Sequence, residues 1–261
     1  MKELPLVFFT VLAQASAGAF ILMQICSSMK KINQNQANKI AMISLVMVVI
    51  AGISALTHLG QPLRAINALF GMGRSPMSNE IITCGLFGGL VFLYVVGNLK
   101  KTIPEATVNI FGYLGAIAGL ALIILIPSVY QLETIPAWNT SFTSLQMVLT
   151  AVICGGAIMT ANNVGGKAWL LTAIATVVLF ALTPGYFSFL SQANVQFHQQ
   201  DMLFWGAKYA LLALGLVMLI AAAFMTKGTQ NARLAALASV LIVVGEIAGR
   251  IGFYDLWAIG M

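Results

Sequence analysis

The chain has 261 residues, of which 60% are hydrophobic and only 8% charged, and its mean hydropathy is +0.94. A water-soluble domain carries about 25% charged residues, so this composition excludes a soluble enzyme and makes the bilayer the main solvent. The net charge of +6 does not point to nucleic acid, because basic residues of a membrane protein gather in short loops as a topology signal.

A membrane helix needs ~20 mainly apolar residues, and runs of that kind recur along the whole sequence. The first is expected at about 4–27. Ala13-Gln-Ala15 resembles a leader-cleavage site, but the apolar run continues to about Cys26, so a retained helix is expected rather than a signal peptide. The second span, at about 38–59, ends in Thr57-His58-Leu59-Gly60. A long loop follows, in which Gln61 to Phe70 suits a short interfacial helix with Pro62 in its first turn. Gly71, Gly73 and Pro76 then break it. The third span, at about 79–99, opens with Ser78-Asn79-Glu80. The fourth covers about 108–130 and the fifth about 142–161, where Asn162, Asn163, Gly165 and Gly166 stop it. The sixth covers about 169–190, and the loop after it carries His198. The seventh and eighth are expected at about 203–225 and 234–256. Trp138, Tyr254 and Trp257 read as aromatics of the membrane interface.

These runs are continuous rather than alternating, and backbone in lipid must satisfy its own hydrogen bonds. The expectation is therefore an all-α, polytopic bundle of eight transmembrane helices, one integral membrane domain over 1–261. The loops after spans one, three, five and seven hold Lys30, Lys31, Lys39, Lys100, Lys101, Lys167, Lys227 and Arg233 against Glu105 alone. The opposite side, with Lys2, Arg64, Arg74, Lys208 and Arg250, also carries Glu3, Glu133, Asp201 and Asp255. This bias places both termini outside, in the periplasm of a Gram-negative host.

Chemistry is confined to few residues. Cys26, Cys84 and Cys154 are far apart, sit in apolar runs and form no CxxC, so neither an iron–sulfur cluster nor a disulfide framework is expected. No span carries a mid-membrane histidine, so no haem is expected, and no metal. His58 and Glu80 stand out because spans two and three are antiparallel neighbours joined by one loop. Both residues then reach the same membrane surface. Each alone could be a helix-end residue complementing the dipole, with Ser78 as the cap before Glu80. Together they make the acid/base pair that oxidation of a membrane quinol requires, since the quinol must hand two protons to nearby bases. Arg64 and Arg74 in the same loop could tune the carboxylate or bind a partner. Glu246 and Arg250, at i and i+4 in the last span, are spaced to pair on one helix face, as a structural ion pair or a proton relay. Gly245, Gly249 and Gly252 would let another helix approach there.

At His58-Leu-Gly-Gln-Pro-Leu-Arg64, then Ser78-Asn-Glu80, the sequence resembles the membrane anchor subunit of dimethyl sulfoxide reductase. Gly245-Glu246-Ile-Ala-Gly249-Arg250-Ile-Gly-Phe253-Tyr254 matches that family's last-helix block. The resemblance covers essentially the full length. It implies a haem-free, multi-pass subunit of the bacterial inner membrane that oxidises menaquinol near the outer face, using His58 and Glu80. Electrons would pass to a four-cluster iron–sulfur subunit and then to a molybdopterin catalytic subunit. The protein would thus carry the quinol-oxidising half-reaction as a non-terminal subunit of an oxidoreductase. His198 matches nothing in the family pattern. Three other readings compete: an anchor of a related polysulfide, thiosulfate or tetrathionate reductase, a purely structural anchor, and a secondary transporter using Glu246 and Arg250. The absence of evident inverted repeats speaks against the transporter.

Overall fold

The computed structural model describes residues 3–100, 103–164, 167–193, 199–225 and 229–256. His198 and Trp257 lie outside the described residues. The elements are α1 (Leu4–Ser28), α2 (Gln34–His58), a 3-10 helix (Pro62–Gly71), α3 (Pro76–Lys100), α4 (Glu105–Tyr130), α5 (Ser141–Ala161), α6 (Ala168–Gln192), α7 (Gln199–Phe224) and α8 (Thr229–Asp255). Eight of these are long and apolar enough to cross a membrane, and no strand occurs among the described residues. The all-α bundle expected from hydropathy is the fold. An even number of spans puts the start of α1 and the end of α8 on one side, here called the termini end.

Two helices begin earlier than their apolar runs because polar caps extend them. Asn33 and Gln36 form a reciprocal capping box that starts α2. Ser75 caps α3, its Oγ accepting from the Ser78 N–H at 3.4 Å. Ser78 is therefore not the cap, and Glu80 lies in the second turn of α3 rather than at its mouth.

α1 is the enclosed centre and packs on α2, α4, α5 and α8. Its residues Ala13, Ala15, Ala17 and Ala19 are fully buried. Where α1 meets α5, a Cβ on Gly18 would overlap the backbone of Ala151, and one on Gly155 the backbone of Gly18. Only glycine permits this backbone-to-backbone approach, the small-residue packing that holds membrane helices together when apolar burial cannot. Ser16 Oγ donates to the Ser44 carbonyl at 2.7 Å and ties α2 to the same centre. α3 is held mainly by α4 and only lightly by α2. That light contact shapes the site.

Candidate functional site

Between α2 and α3 at the termini end lies a chamber of about 980 Å³. One face of each helix lines it at three-to-four-residue spacing: Leu45, Val48, Gly52, Ala55 and Leu59 from α2 and its end, and Met77, Glu80, Cys84, Gly88 and Phe92 from α3. Leu6 and Phe9 of α1 close the inner wall. The roof comes from Ala65 of the 3-10 helix and from Ser75, with Ile135 and Trp138 beyond α4.

His58 and Glu80 both line this chamber. They differ in environment. Glu80 is only 5% exposed, and its Oε1 is buried with no hydrogen-bond partner among the described residues. A buried carboxyl oxygen without a donor costs free energy, and Glu80 carries one at the wall of the chamber. His58 is exposed, at the last position of α2, and its Nε2 lies 3.5 Å from Glu3 Oε2. Arg64 and Arg74 are exposed. Neither lines the chamber, but each adjoins in sequence a residue that does, Ala65 and Ser75.

An aromatic group walls the chamber on the α8 side. Tyr130, Trp138 and Tyr254 all face it, and the hydroxyls of Tyr130 and Tyr254 share a 2.5 Å hydrogen bond. Trp138 stacks on Phe253 and donates its Nε1–H to the Phe253 carbonyl at 2.9 Å. Trp138 and Tyr254 are thus buried in protein, 7% and 2% exposed, rather than standing at the lipid interface. Their polar tips are satisfied by neighbouring helices instead of by water.

A second polar cluster lies buried among α1, α5, α7 and α8. Glu246 does not pair directly with Arg250. Its Oε2 accepts from Thr150 Oγ1 at 2.8 Å and lies 3.5 Å from Lys208 Nζ. Arg250 Nη2 donates instead to Gln14 Oε1 at 3.0 Å and to Thr150 Oγ1 at 3.2 Å. Thr150 therefore bridges the two residues whose direct pairing the i, i+4 spacing suggested. Lys208, which the charge bias groups with the outer residues, is inside α7 and buried. Gly249 makes this possible, because a Cβ there would overlap the Lys208 side chain. A cavity of about 10 Å³ beside Thr143, Gln146 and Lys208 is the size of about one water molecule.

Residues 1–256 match the family model of the DMSO reductase anchor subunit (DmsC). The chain belongs to the DmsC family. It is 30% identical to the YnfH subunit of anaerobic dimethyl sulfoxide reductase from Escherichia coli (strain K12) over 272 residues, 97% of this protein and 94% of that one. It is 28% identical to the C subunit of anaerobic dimethyl sulfoxide reductase from Haemophilus influenzae over 269 residues, 98% of this protein and 95% of the relative. With its eight apolar helices, this DmsC-family protein is a membrane anchor subunit, multi-pass in the bacterial inner membrane. Of the residues singled out in sequence, the DmsC-family fold brings His58 and Glu80 to one chamber and leaves Arg64 and Arg74 at its rim. Residues not singled out are Tyr130, Lys208, Thr150 and Gln14. Lys208 alone had a signal: a charge five residues inside an apolar span is a functional or paired residue by default.

Proposed function

We propose that this anchor subunit binds and oxidises menaquinol in the chamber between α2 and α3. The observation that carries the reading is Glu80, a buried carboxyl group with an unpartnered oxygen at the head of an apolar chamber. A quinol hydroxyl supplies the donor that this oxygen lacks. Oxidation to the quinone breaks both O–H bonds and releases two protons and two electrons. Glu80 takes the proton of the hydroxyl it binds. His58, exposed at the same end, takes the second and passes it to the aqueous side. Arg64 and Arg74 act at the rim, where their charge steers the headgroup or a docked partner.

The electrons leave one at a time for an iron–sulfur subunit docked at the termini end. From there they reach a molybdopterin catalytic subunit, which reduces the terminal acceptor. Family membership supports this division of labour, since an anchor subunit implies subunits that it anchors. No haem or cluster in this subunit takes part in the proposal, so electron transfer requires the partner. The test is quinol-driven turnover of the whole complex in membranes, with assembly monitored separately. Glu80→Gln should assemble and fail to oxidise quinol. Normal quinol-driven turnover in that variant would remove the reading and leave a purely structural anchor.

A further inference from the structure

We infer that the chamber binds the isoprenoid tail of the quinol as well as its ring, and that the gap between α2 and α3 is the door through which the tail enters from lipid. The inference rests on the proposed quinol oxidation and extends it to the shape of the substrate.

The chamber is far longer than a headgroup. From Glu80 to Phe92 and from His58 to Leu45 its lining follows α3 and α2 for about 20 Å along the helix axes, at about 1.5 Å per residue. Its polarity is divided along that length. Glu3, His58, Ser75 and Glu80 stand at the termini end, with the tyrosine hydroxyls beside them, whereas the deeper lining is apolar apart from the Cys84 thiol. A ligand that fits both parts is amphiphilic, with a hydrogen-bonding head and a long hydrocarbon tail. A polyisoprenoid quinol has that form.

The shaft is made by missing side chains. A Cβ built on Gly52, Gly85 or Gly89 meets nothing within 4 Å. Only at Gly88, 3.7 Å from Val48 Cγ1, would a Cβ touch the opposite helix. The shaft is also open sideways: Val49, Gly85, Gly89 and Phe92 line it and are exposed on the flank of the bundle. Small residues alone would signify only close packing. Here the two helices touch only lightly, and the buried, unpartnered Glu80 oxygen at the head of the gap sets where the ligand's polar end goes.

The experiment introduces Gly85→Leu and Gly89→Leu separately into the whole complex and compares menaquinol with a tailless naphthoquinol. A Cβ at either position meets no protein atom within 4 Å, and assembly of each variant is measured alongside turnover. The KM for menaquinol should rise by roughly tenfold or more with kcat little changed, the signature of lost uniform binding, while the tailless quinol keeps its KM within about twofold. Gly206→Leu, an equally open glycine on α7, should change neither. Equal loss with both quinols would put the added side chains against the ring and overturn the inference. No change with either quinol would leave the shaft to lipid acyl tails and overturn it as well. Wild-type complex that oxidises neither quinol would instead bring down the proposed function, and this inference with it.

Discussion

Two carboxylates are buried among the described residues, Glu80 and Glu246, and their surroundings differ. Glu246 is held from other helices: Thr150 from α5 and Lys208 from α7 reach its Oε2 directly, Arg250 joins through Thr150, and Gln14 accepts from Arg250. Each carboxylate has a buried Oε1 without a hydrogen-bond partner among the described residues, but Glu246 is held through its Oε2, whereas Glu80 lines a large apolar chamber. A buried charge held by a cation and hydrogen bonds is a fastening between helices. A buried carboxyl group facing a cavity is available to a ligand. Position in sequence does not separate the two cases, since both lie within apolar spans; the neighbours do.

The comparison breaks first at Lys208. Replacing it with Met removes the cation nearest Glu246 and leaves a buried charge uncompensated, which costs about 3–5 kcal/mol. The expected outcome is low yield and a lower melting temperature in detergent. The double variant Lys208→Met with Glu246→Gln should recover much of the loss, because it removes the stranded charge. A single variant as stable as wild type would show that Thr150 and Arg250 hold Glu246 unaided. Arg250→Ala should also harm assembly, chiefly by stranding Gln14 Oε1, whose described donor is Arg250.

Glu80→Gln sharpens the contrast from the other side. With no cation or donor at Oε1 to lose, the variant should be made and assembled normally. Its quinol-driven turnover should fall by roughly a hundredfold, within the usual range for a positioned acid/base group. If instead the variant failed to assemble while turnover per assembled complex stayed normal, Glu80 would belong with Glu246 as a structural residue.

What could be read from sequence follows the range of the forces involved. All eight spans were legible, because hydrocarbon thickness imposes one length and one composition on each. That His58 and Glu80 lie at the same end of the bundle was legible too, since one loop between antiparallel helices brings their ends to one side. Contacts between helices distant in sequence were not. Glu246 and Arg250 have the spacing of a pair, yet Lys208 comes from α7 and Thr150 from α5, and no local pattern names them. Tyr254 and Trp138 have the composition of interface aromatics, and only their contacts with Tyr130 and Phe253 show that their polar tips meet protein. The glycines at 52, 85, 88 and 89 are plain in the sequence. That they leave a gap depends on how far α2 stands from α3.

His58 should matter less than Glu80, because it is exposed and Glu3 lies beside it. His58→Ala should lower quinol-driven turnover by roughly tenfold, nearer the low end for a general base, since water at an exposed site can take over part of the proton transfer. A loss equal to that of Glu80→Gln would mean that both groups act as a unit on the same quinol.

The smallest effect belongs to Glu3. It lies 3.5 Å from His58, both side chains are about one-third exposed, and such pairs contribute at most about 1 kcal/mol. Glu3→Gln should therefore leave stability unchanged and slow quinol oxidation less than roughly threefold. Raising the ionic strength should mimic the substitution in wild type and have little further effect in the variant, because salt screens an exposed pair and not a buried carboxyl group. If Glu3→Gln instead matched His58→Ala, with the same salt response, the imidazole would depend on Glu3 for its placement. The proton-accepting centre would then span α1 and α2 as well as α3, and the difference between a carboxylate held by other helices and one lining a chamber would no longer separate structure from function at this end of the bundle.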